Sequence, residues 1–256
     1  MDCVEGMRLL PDECIDLTVT SPPYDNLRTY NGYSFDFEQT AKELFRITKE
    51  GGVVVWVVGD ETKDFCESLT SFKQAIYFVE KCGFKLLDTM IYKKNGAPAT
   101  YPSLRRYGNL FEYMFVLSKG RPKTFNPLKD RPNKYYGKLN SGNTARQKDG
   151  STKSTGSYIP NKFGMRFNIW EYNVGRNKDT SDKVAFKHPA RFPELLAKDH
   201  ILSWSNEGDI ILDPFTGSGT TAKMALLNHR HFIGFEVSSE YVAIANQRIE
   251  SVTCDD

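Results

Sequence analysis

Ile210-Ile211-Leu212-Asp213-Pro214-Phe215-Thr216-Gly217-Ser218-Gly219-Thr220-Thr221 is the stretch from which the fold is read. Its three leading apolar residues make a short buried strand. A turn with glycines at 217 and 219 follows, and residues 222–227 read as a helix. Residues 232–235 give a second strand, ended by Glu236, so 210–236 is a βαβ unit. Glycines between strand and helix allow tight turning and close approach of a ligand. Glu236 stands 23 positions after Asp213, where a carboxylate can accept hydrogen bonds from ribose hydroxyls. The spacing points to a nucleoside cofactor without saying which one. No Gly-Lys-Ser/Thr ending follows the glycines, which argues against a triphosphate hydrolase, and the full G-x-G-x-x-G fingerprint is absent too. By themselves the glycines suit a purely structural turn equally well.

The second informative stretch lies near the start of the chain. Residues 15–20 form an apolar run that reads as a buried strand, and Thr20-Ser21-Pro22-Pro23-Tyr24 follows from its end. Two consecutive prolines cannot extend a ladder, so the strand stops there. A serine, two rigid carbonyls and an aromatic ring are thereby held at a strand's carboxyl end, which is where open α/β sheets bind ligands. The plain alternative is a strand terminator with a surface tyrosine.

At 256 residues the chain is one large α/β domain, or such a domain with an insertion, and it buries a core without staples. The net charge of +2 is uninformative, but its distribution is not. Residues 119–187 hold 16 Lys and Arg against 5 Asp and Glu, a surplus of 11 that leaves the rest of the chain at −9. Such asymmetry, with aromatics interleaved, is a footprint for a polyanion; the alternative is a solvated lysine-rich loop. Five cysteines (3, 14, 66, 82, 254) without a C-x-x-C pair, and four scattered histidines, suggest neither a disulfide framework nor a metal site. Without a signal peptide or an apolar run of spanning length, a reducing cytoplasm is the expected setting.

Taken in order, Asp2 sits where a strand is expected to be ending already, so the strand before it is expected to be very short or missing, and 11–13 turn into the strand at 15. Residues 25–34, polar and aromatic, are expected to border a cleft. Phe37, Ala41, Leu44, Phe45 and Thr48 share a helical face that Gly51-Gly52 stops. Residues 53–58 are a nearly continuous β-branched run suited to a central strand. Residues 72–81 read as a helix ended by Gly83, and 85–92 and 111–118 as strands flanking a loop at 93–109. Two adjacent strands after parallel crossovers suggest an antiparallel hairpin at one sheet edge. Residues 137–157 carry almost no apolar side chains and are expected to stay mobile until a partner is met, while 163–172 regain aromatic content and anchor the insertion. The α/β rhythm then resumes. Pro193 opens a helix with Phe192, Leu195, Leu196 and Leu202 on its apolar face, and Gly208 ends that segment. Ser238-Ser239-Glu240 caps a closing helix carrying Val242, Ala245 and Ile249.

Together these stretches resemble a known family, the beta-class DNA amino-methyltransferases that use S-adenosylmethionine. Asp213 to Thr221 looks like their cofactor loop and Ser21-Pro22-Pro23-Tyr24 like their catalytic motif, in that order, with a variable region between. His188-Pro189-Ala190-Arg191-Phe192-Pro193-Glu194, Phe232-Ile233-Gly234-Phe235-Glu236 and Asp2-Cys3 are further matches. The family's first strand normally precedes the position of Asp2, a departure from the pattern. The resemblance implies a circularly permuted Rossmann-like α/β fold with a mostly parallel seven-stranded sheet, an antiparallel edge hairpin and an inserted target-recognition region. It divides the chain into a catalytic half at 1–118, a basic insert at 119–187 and a cofactor half at 188–256.

It also implies roles. Asp213, Pro214, Phe215, Thr216, Gly217, Ser218, Gly219 and Thr220 surround the methionine end of the cofactor, with Phe215 facing the sulfonium. Glu236 takes the ribose, Asp2 and Cys3 lie near the adenine, and His188, Pro189 and Phe192 close over the pocket. A helix-opening histidine is the plain alternative for His188. Ser21 Oγ and the Pro22 carbonyl can accept from a target amine and pull its nitrogen toward a tetrahedral shape, held by the prolines without reorganisation. Tyr24 offers a face for an extruded base. Double-stranded DNA is the implied partner. Lys134, Lys138, Arg146, Lys148, Lys153 and Arg166 in the insert are the candidate contacts, with Arg105 and Arg106 before the strand at 111.

Carbon-5 cytosine methylation needs a cysteine nucleophile, typically after proline, and none of the five follows proline. Serine at 21 favours cytosine N4 over adenine N6, although either amine suits a small hydroxyl. RNA or protein methylation, and a silent DNA-binding module, are more distant readings; a small protein substrate has no need of the large basic insert, and the intact cofactor loop argues against a silent module. The resemblance is compatible with a cognate restriction endonuclease as a further partner, and with a monomer or a homodimer.

Overall fold

Val53-Val54-Val55-Trp56-Val57-Val58 lies at the middle of a seven-stranded sheet with every one of its side chains buried. Burial on both faces is what a continuous β-branched run requires, and each such side chain contributes about 1.5–3 kcal/mol. The computed structural model describes residues 1–23, 36–96, 106–175, 179–180, 182–188 and 193–253. They fall into two compact units, one of 1–126 with 168–256 and one of 127–167.

The larger unit begins with helix α1 (Cys3–Arg8), strand β1 (Ile15–Thr20), helix α2 (Phe37–Ile47) and strand β2 (Thr48–Val58). A small hairpin follows, β3 (Thr62–Lys63) with β4 (Cys66–Glu67), then α3 (Thr70–Tyr77), which runs on through a π-helical turn at Phe78–Cys82. Strands β5 (Lys85–Asn95) and β6 (Phe111–Ser118) come next. The smaller unit holds β7 (Arg131–Pro132), β8 (Thr144–Arg146), β9 (Thr152–Ser154) and β10 (Phe163–Gly164). The chain then returns to the larger unit as β11 (Ile169–Asn173), a 3-10 turn at Lys183–Lys187, α4 (Glu194–Trp204), β12 (Ile210–Asp213), α5 (Thr220–Leu227), β13 (His231–Gly234) and α6 (Ser239–Thr253).

The sheet order is β11-β5-β6-β2-β1-β12-β13. β6 is antiparallel to both β2 and β5, and the remaining neighbours are parallel, so β6 alone runs against the other six. The antiparallel pair β5–β6 forms as expected, but it lies one strand in from the edge. Residues 169–173 return from the insertion and add outside β5, with Ile169 opposite Ile91. Val54, Trp56 and Val58 face a cluster containing Met7, Leu44, Ile47, Ala75 and Phe78 from the first three helices. The alternate residues Val53, Val55 and Val57 face the other side, where α4 packs on β1 and α5 on β12.

Several local features differ from expectation, each for a physical reason. Asp2 caps α1, a role not expected of it, its carboxylate accepting from the Val4 and Glu5 amides at 2.8 and 3.2 Å. Gly51-Gly52 does not stop α2, which ends at Ile47; the glycines lie inside β2, and Gly51 has φ +81°. On α4 the buried side chains are Leu196, Ala197, His200, Ile201 and Ser203, whereas Leu195 is 61% exposed. On α6 Ile244, Ala245 and Arg248 face inward and Val242 outward.

The smaller unit, 127–167, covers a shorter span than 119–187, the described residues of 119–126 and 168–187 belonging to the larger unit. Its 137–157 segment is an antiparallel hairpin, with Thr144 opposite Ser154 and Gln147 donating to Ser151 across the turn. No helix among the described residues is long and apolar enough to cross a membrane.

Candidate active site

β1 and β12 are parallel neighbours, with Leu17 opposite Ile211 and Thr18 opposite Leu212. Their carboxyl ends therefore emerge side by side. One leads into Ser21-Pro22-Pro23, the other into Asp213-Pro214-Phe215-Thr216-Gly217-Ser218-Gly219. The two stretches are tied directly: Thr20 Oγ1 donates to Asp213 Oδ1 at 2.6 Å in a buried bond spanning 193 positions. Thr221 repeats the tie from α5, donating to the Val19 carbonyl at 3.1 Å.

Asp213 is the pivot of the loop. Its Oδ1 also takes the Phe215 amide at 3.0 Å, and its carbonyl takes the Thr216 hydroxyl at 3.0 Å. Burial pushes its carboxyl up to about 6; bonds from Thr20, Thr221 and Phe215 work in the opposite direction, and nearby Glu236 adds to the rise. The loop then folds back on β13, the Thr216 amide donating to the Phe235 carbonyl at 3.0 Å. Gly217 and Gly219 both have positive φ, +51° and +78°. Close approach adds a second reason for glycine. A Cβ on Gly217 lies 2.9 Å from His188 Nε2, and one on Gly219 lies 3.0 Å from the Ala245 Cα.

Glu236 Oε2 accepts the Gly217 amide at 2.9 Å and Oε1 the Ser238 amide at 2.9 Å. A carboxylate has about four acceptor positions, so two remain for hydroxyl donors. His188 is buried, its ring edge-on to Tyr241 with centroids 4.3 Å apart. Phe215 is half-buried, 6.2 Å from Trp56 in an edge-on contact. Loop backbone, spare carboxylate lone pairs and a buried imidazole against a glycine fit a nucleoside cofactor with an amino-acid tail.

Ser21 and Pro23 are half-buried and Pro22 is buried at the end of β1. Tyr24, Pro189, Phe192 and Arg105 lie outside the described residues. The Asp2 carboxylate is engaged by α1, while the neighbouring Met1 amino group donates to the Glu236 carbonyl at 2.7 Å. Cys3 faces the core rather than the loop: its Sγ is 3.7 Å from Thr40 Oγ1, and burial pushes the thiol up to about 11. Arg106 is occupied by the β3–β4 hairpin, bonded to Thr62 Oγ1 at 2.7 Å and Glu67 Oε1 at 2.5 Å. Arg166 pairs with Asp130 inside the smaller unit. Lys134, Lys138, Arg146, Lys148 and Lys153 are on that unit as well, the last four on exposed positions of 137–157 or its approach.

Sequence reasoning missed a charged cluster behind the loop, in which buried Lys223 and Arg248 meet the half-buried Asp182 and Glu194. Its one signal was Arg248 itself, a cation at helical spacing from Ala245 on an apolar face.

A sequence model of the DNA methylase family that groups N6 and N4 methyltransferases matches residues 15–247. The chain belongs to this family. The orphan methyltransferase M.BamHII of Bacillus amyloliquefaciens is 59% identical over 242 residues, covering 94% of this chain and 90% of the relative. The DNA adenine methyltransferase YhdJ of Escherichia coli K12 is 27% identical over 270 residues, covering 97% of this chain and 81% of that one. Among solved structures, the cytosine-N4-specific PvuII DNA methyltransferase aligns with TM-score 0.68 at 21% identity, over 99% of this chain and 88% of the other. The M1.HpyAVI complex with S-adenosylmethionine aligns with TM-score 0.62 at 23% identity, over 97% and 96%. At those identities the solved structures speak for the Rossmann-like methyltransferase fold. As a member of the N6/N4 family the chain is a DNA methyltransferase, and S-adenosylmethionine is its methyl donor.

Proposed function

We propose that this DNA methyltransferase acts on the exocyclic N4 amine of a cytosine extruded from duplex DNA. The observation that supports this most is Ser21, a short hydroxyl where the family's adenine enzymes more often have aspartate, next to the rigid Pro22-Pro23 pair and beside the Asp213 loop. Bound S-adenosylmethionine supplies a methyl group on a positive sulfur, ready for in-line displacement.

The residues of this chain then have separable tasks. Ser21 Oγ and the Pro22 carbonyl accept from the two amine hydrogens, which draws the nitrogen lone pair out of the ring. The prolines fix those acceptors before the base arrives. Tyr24 stacks on the base, a contact worth about 1–3 kcal/mol. Gly217 and Gly219 let the loop backbone approach the amino-acid end of the cofactor, and Glu236 receives ribose hydroxyls with its spare lone pairs. His188 closes the far side of that pocket. Lys134, Lys138, Arg146, Lys148 and Lys153 neutralise phosphates.

Adenine N6 is the second reading, favoured by the name of YhdJ. The name of M.BamHII favours an enzyme without a partner nuclease. Mass spectrometry of nucleosides from the DNA of an expressing host decides between the bases. N4-methylcytosine is the expected product, N6-methyladenine selects the second reading, and neither mark despite good expression refutes both. Ser21→Ala is expected to cut turnover strongly while cofactor affinity stays nearly intact; equal loss of both would remove Ser21 from its assigned task.

A further inference from the structure

We propose that Arg248 is a positioning residue for the cofactor, one buried guanidinium that holds the two walls of the cofactor pocket in register. The proposal rests on the methyltransferase reading above. Arg248 is 1% exposed on the inner face of α6. Its Nη1 donates to the Ser218 carbonyl at 2.6 Å and lies 3.2 Å from the hydroxyls of Ser218 and Thr220. Its Nε donates to Asp182 Oδ2 at 2.9 Å and its Nη2 to Glu194 Oε1 at 2.6 Å. One side of the planar fork thus ends on the glycine loop. The other ends on the two acids that bracket His188 in the chain, six positions before it and six after.

Lys223 of α5 reaches the same two carboxylate oxygens, at 2.8 Å from Asp182 and 3.0 Å from Glu194. The Thr180 hydroxyl adds a further bond to Glu194 Oε1 at 2.6 Å. Two cations and two anions make a group without net charge. Burial pushes the Asp182 carboxyl up, but its bonds to Lys223 and Arg248 outweigh this and hold it below the ordinary carboxylate range. Asp182 therefore stays ionised and paired at neutral pH.

Stability alone is a weak reason for such a group. Buried ion pairs often contribute no more than apolar side chains of the same volume. What a guanidinium does supply is geometry, through five donors in one plane. Here it fixes the loop from behind while Glu236 fixes it from the front: the Gly217 amide is held by Glu236 and the adjoining Ser218 carbonyl by Arg248. The segment ending in His188 is held by the same fork, and His188 is the group that stands against Gly217. Lysine at 248 keeps the charge but has no plane and fewer donors, so it cannot serve both walls at once.

The test uses the full-length protein and its Arg248→Lys and Arg248→Ala variants. Affinity for S-adenosylmethionine and S-adenosylhomocysteine is measured by calorimetry well below the melting temperature of each cofactor-free protein. A charged hydrogen bond to the loop corresponds to about tenfold or more in Kd. Arg248→Lys is expected to weaken both ligands by that factor, to raise KM for S-adenosylmethionine, and to leave KM for unmethylated plasmid DNA nearly unchanged. Combining it with His188→Ala should cost less than the sum of the two separate losses, because both act on one wall. A purely structural arginine would lower the melting temperature and leave the affinity of the folded protein alone. That result in Arg248→Lys, or full additivity with His188→Ala, overturns the proposal even if Arg248→Ala fails to fold. Wild-type protein that binds neither ligand refutes the methyltransferase reading and the proposal with it.

Discussion

Replacing Asp213 by asparagine should make the folded protein more stable at neutral pH, although it alters a residue at the centre of the site. The carboxyl has 1% exposure, and burial raises it from an ordinary value of 3.8 to about 6. A raised carboxyl favours the folded state while protonated. That contribution is complete below pH 3.8, is lost as pH rises toward 6, and leaves a constant penalty above it. A rise of about two units at 1.36 kcal/mol each corresponds to about 3 kcal/mol. Asparagine retains the bonds that matter: its Oδ1 can take both the Thr20 hydroxyl and the Phe215 amide, which reach the same oxygen in the aspartate. Its NH2 can donate to the Thr221 hydroxyl, which itself donates to Val19. Urea unfolding of both proteins from pH 4.5 to 7.5, without cofactor, reads the difference. The Asp213→Asn curve should gain about 2–3 kcal/mol on wild type across that range, or about 1 M in urea midpoint. Parallel curves would mean that the buried carboxylate carries no such penalty, and the reasoning about its environment would be wrong.

Three other outcomes follow from the geometry. Gly219→Ala places a Cβ 3.0 Å from the backbone of Ala245 at a φ of +78°, a strain of about 1–2 kcal/mol before any repacking, so the melting temperature should fall by about 3–8 °C and cofactor affinity should drop; an unchanged melting curve would show that α6 yields freely. Lys148→Ala should reduce the slope of log affinity for DNA against log salt by about one, whereas Arg106→Ala, already bonded to Thr62 and Glu67, should leave that slope alone, and the reverse pattern in a salt titration would exchange their roles. Arg46→Ala removes donors from the Met7 and Leu10 carbonyls and from Asp12 and Glu43, which should cost about 2 kcal/mol and speed hydrogen exchange in α1 selectively.

Strong local patterns were readable where one physical demand dominated. The valine run of β2 could only be a strand buried on both faces, and the bounds of β6 were evident from its aromatic and β-branched content. The loop at 213–219 and the break at Pro22-Pro23 were legible because glycine and proline leave few backbone options. Where tertiary contacts decided, the sequence was silent. β11 becomes a sheet strand only because β5 offers an edge, and nothing in Ile169 to Asn173 announces a parallel partner at 91–95. Leu195 and Leu196 are equally apolar, and the direction of α4 exposes one and buries the other. The cap that Asp2 places on α1 was not legible, because an aspartate suits a strand end as readily as a helix start. Arg248 was invisible for a related reason: an arginine buried by four polar partners looks, in one dimension, like any surface cation.

The tie between Thr20 and Asp213 also has a consequence in time. A ribosome adds about 5–20 residues per second, so roughly ten to forty seconds separate the synthesis of these two residues. β2 is made soon after β1, whereas β12, which fills the other edge of β1, comes only at the end of that interval. Parallel pairing across so long a stretch is intrinsically slow. The serine and prolines are thus made early and wait for the loop that completes them, and a chain still being translated has no means of marking DNA.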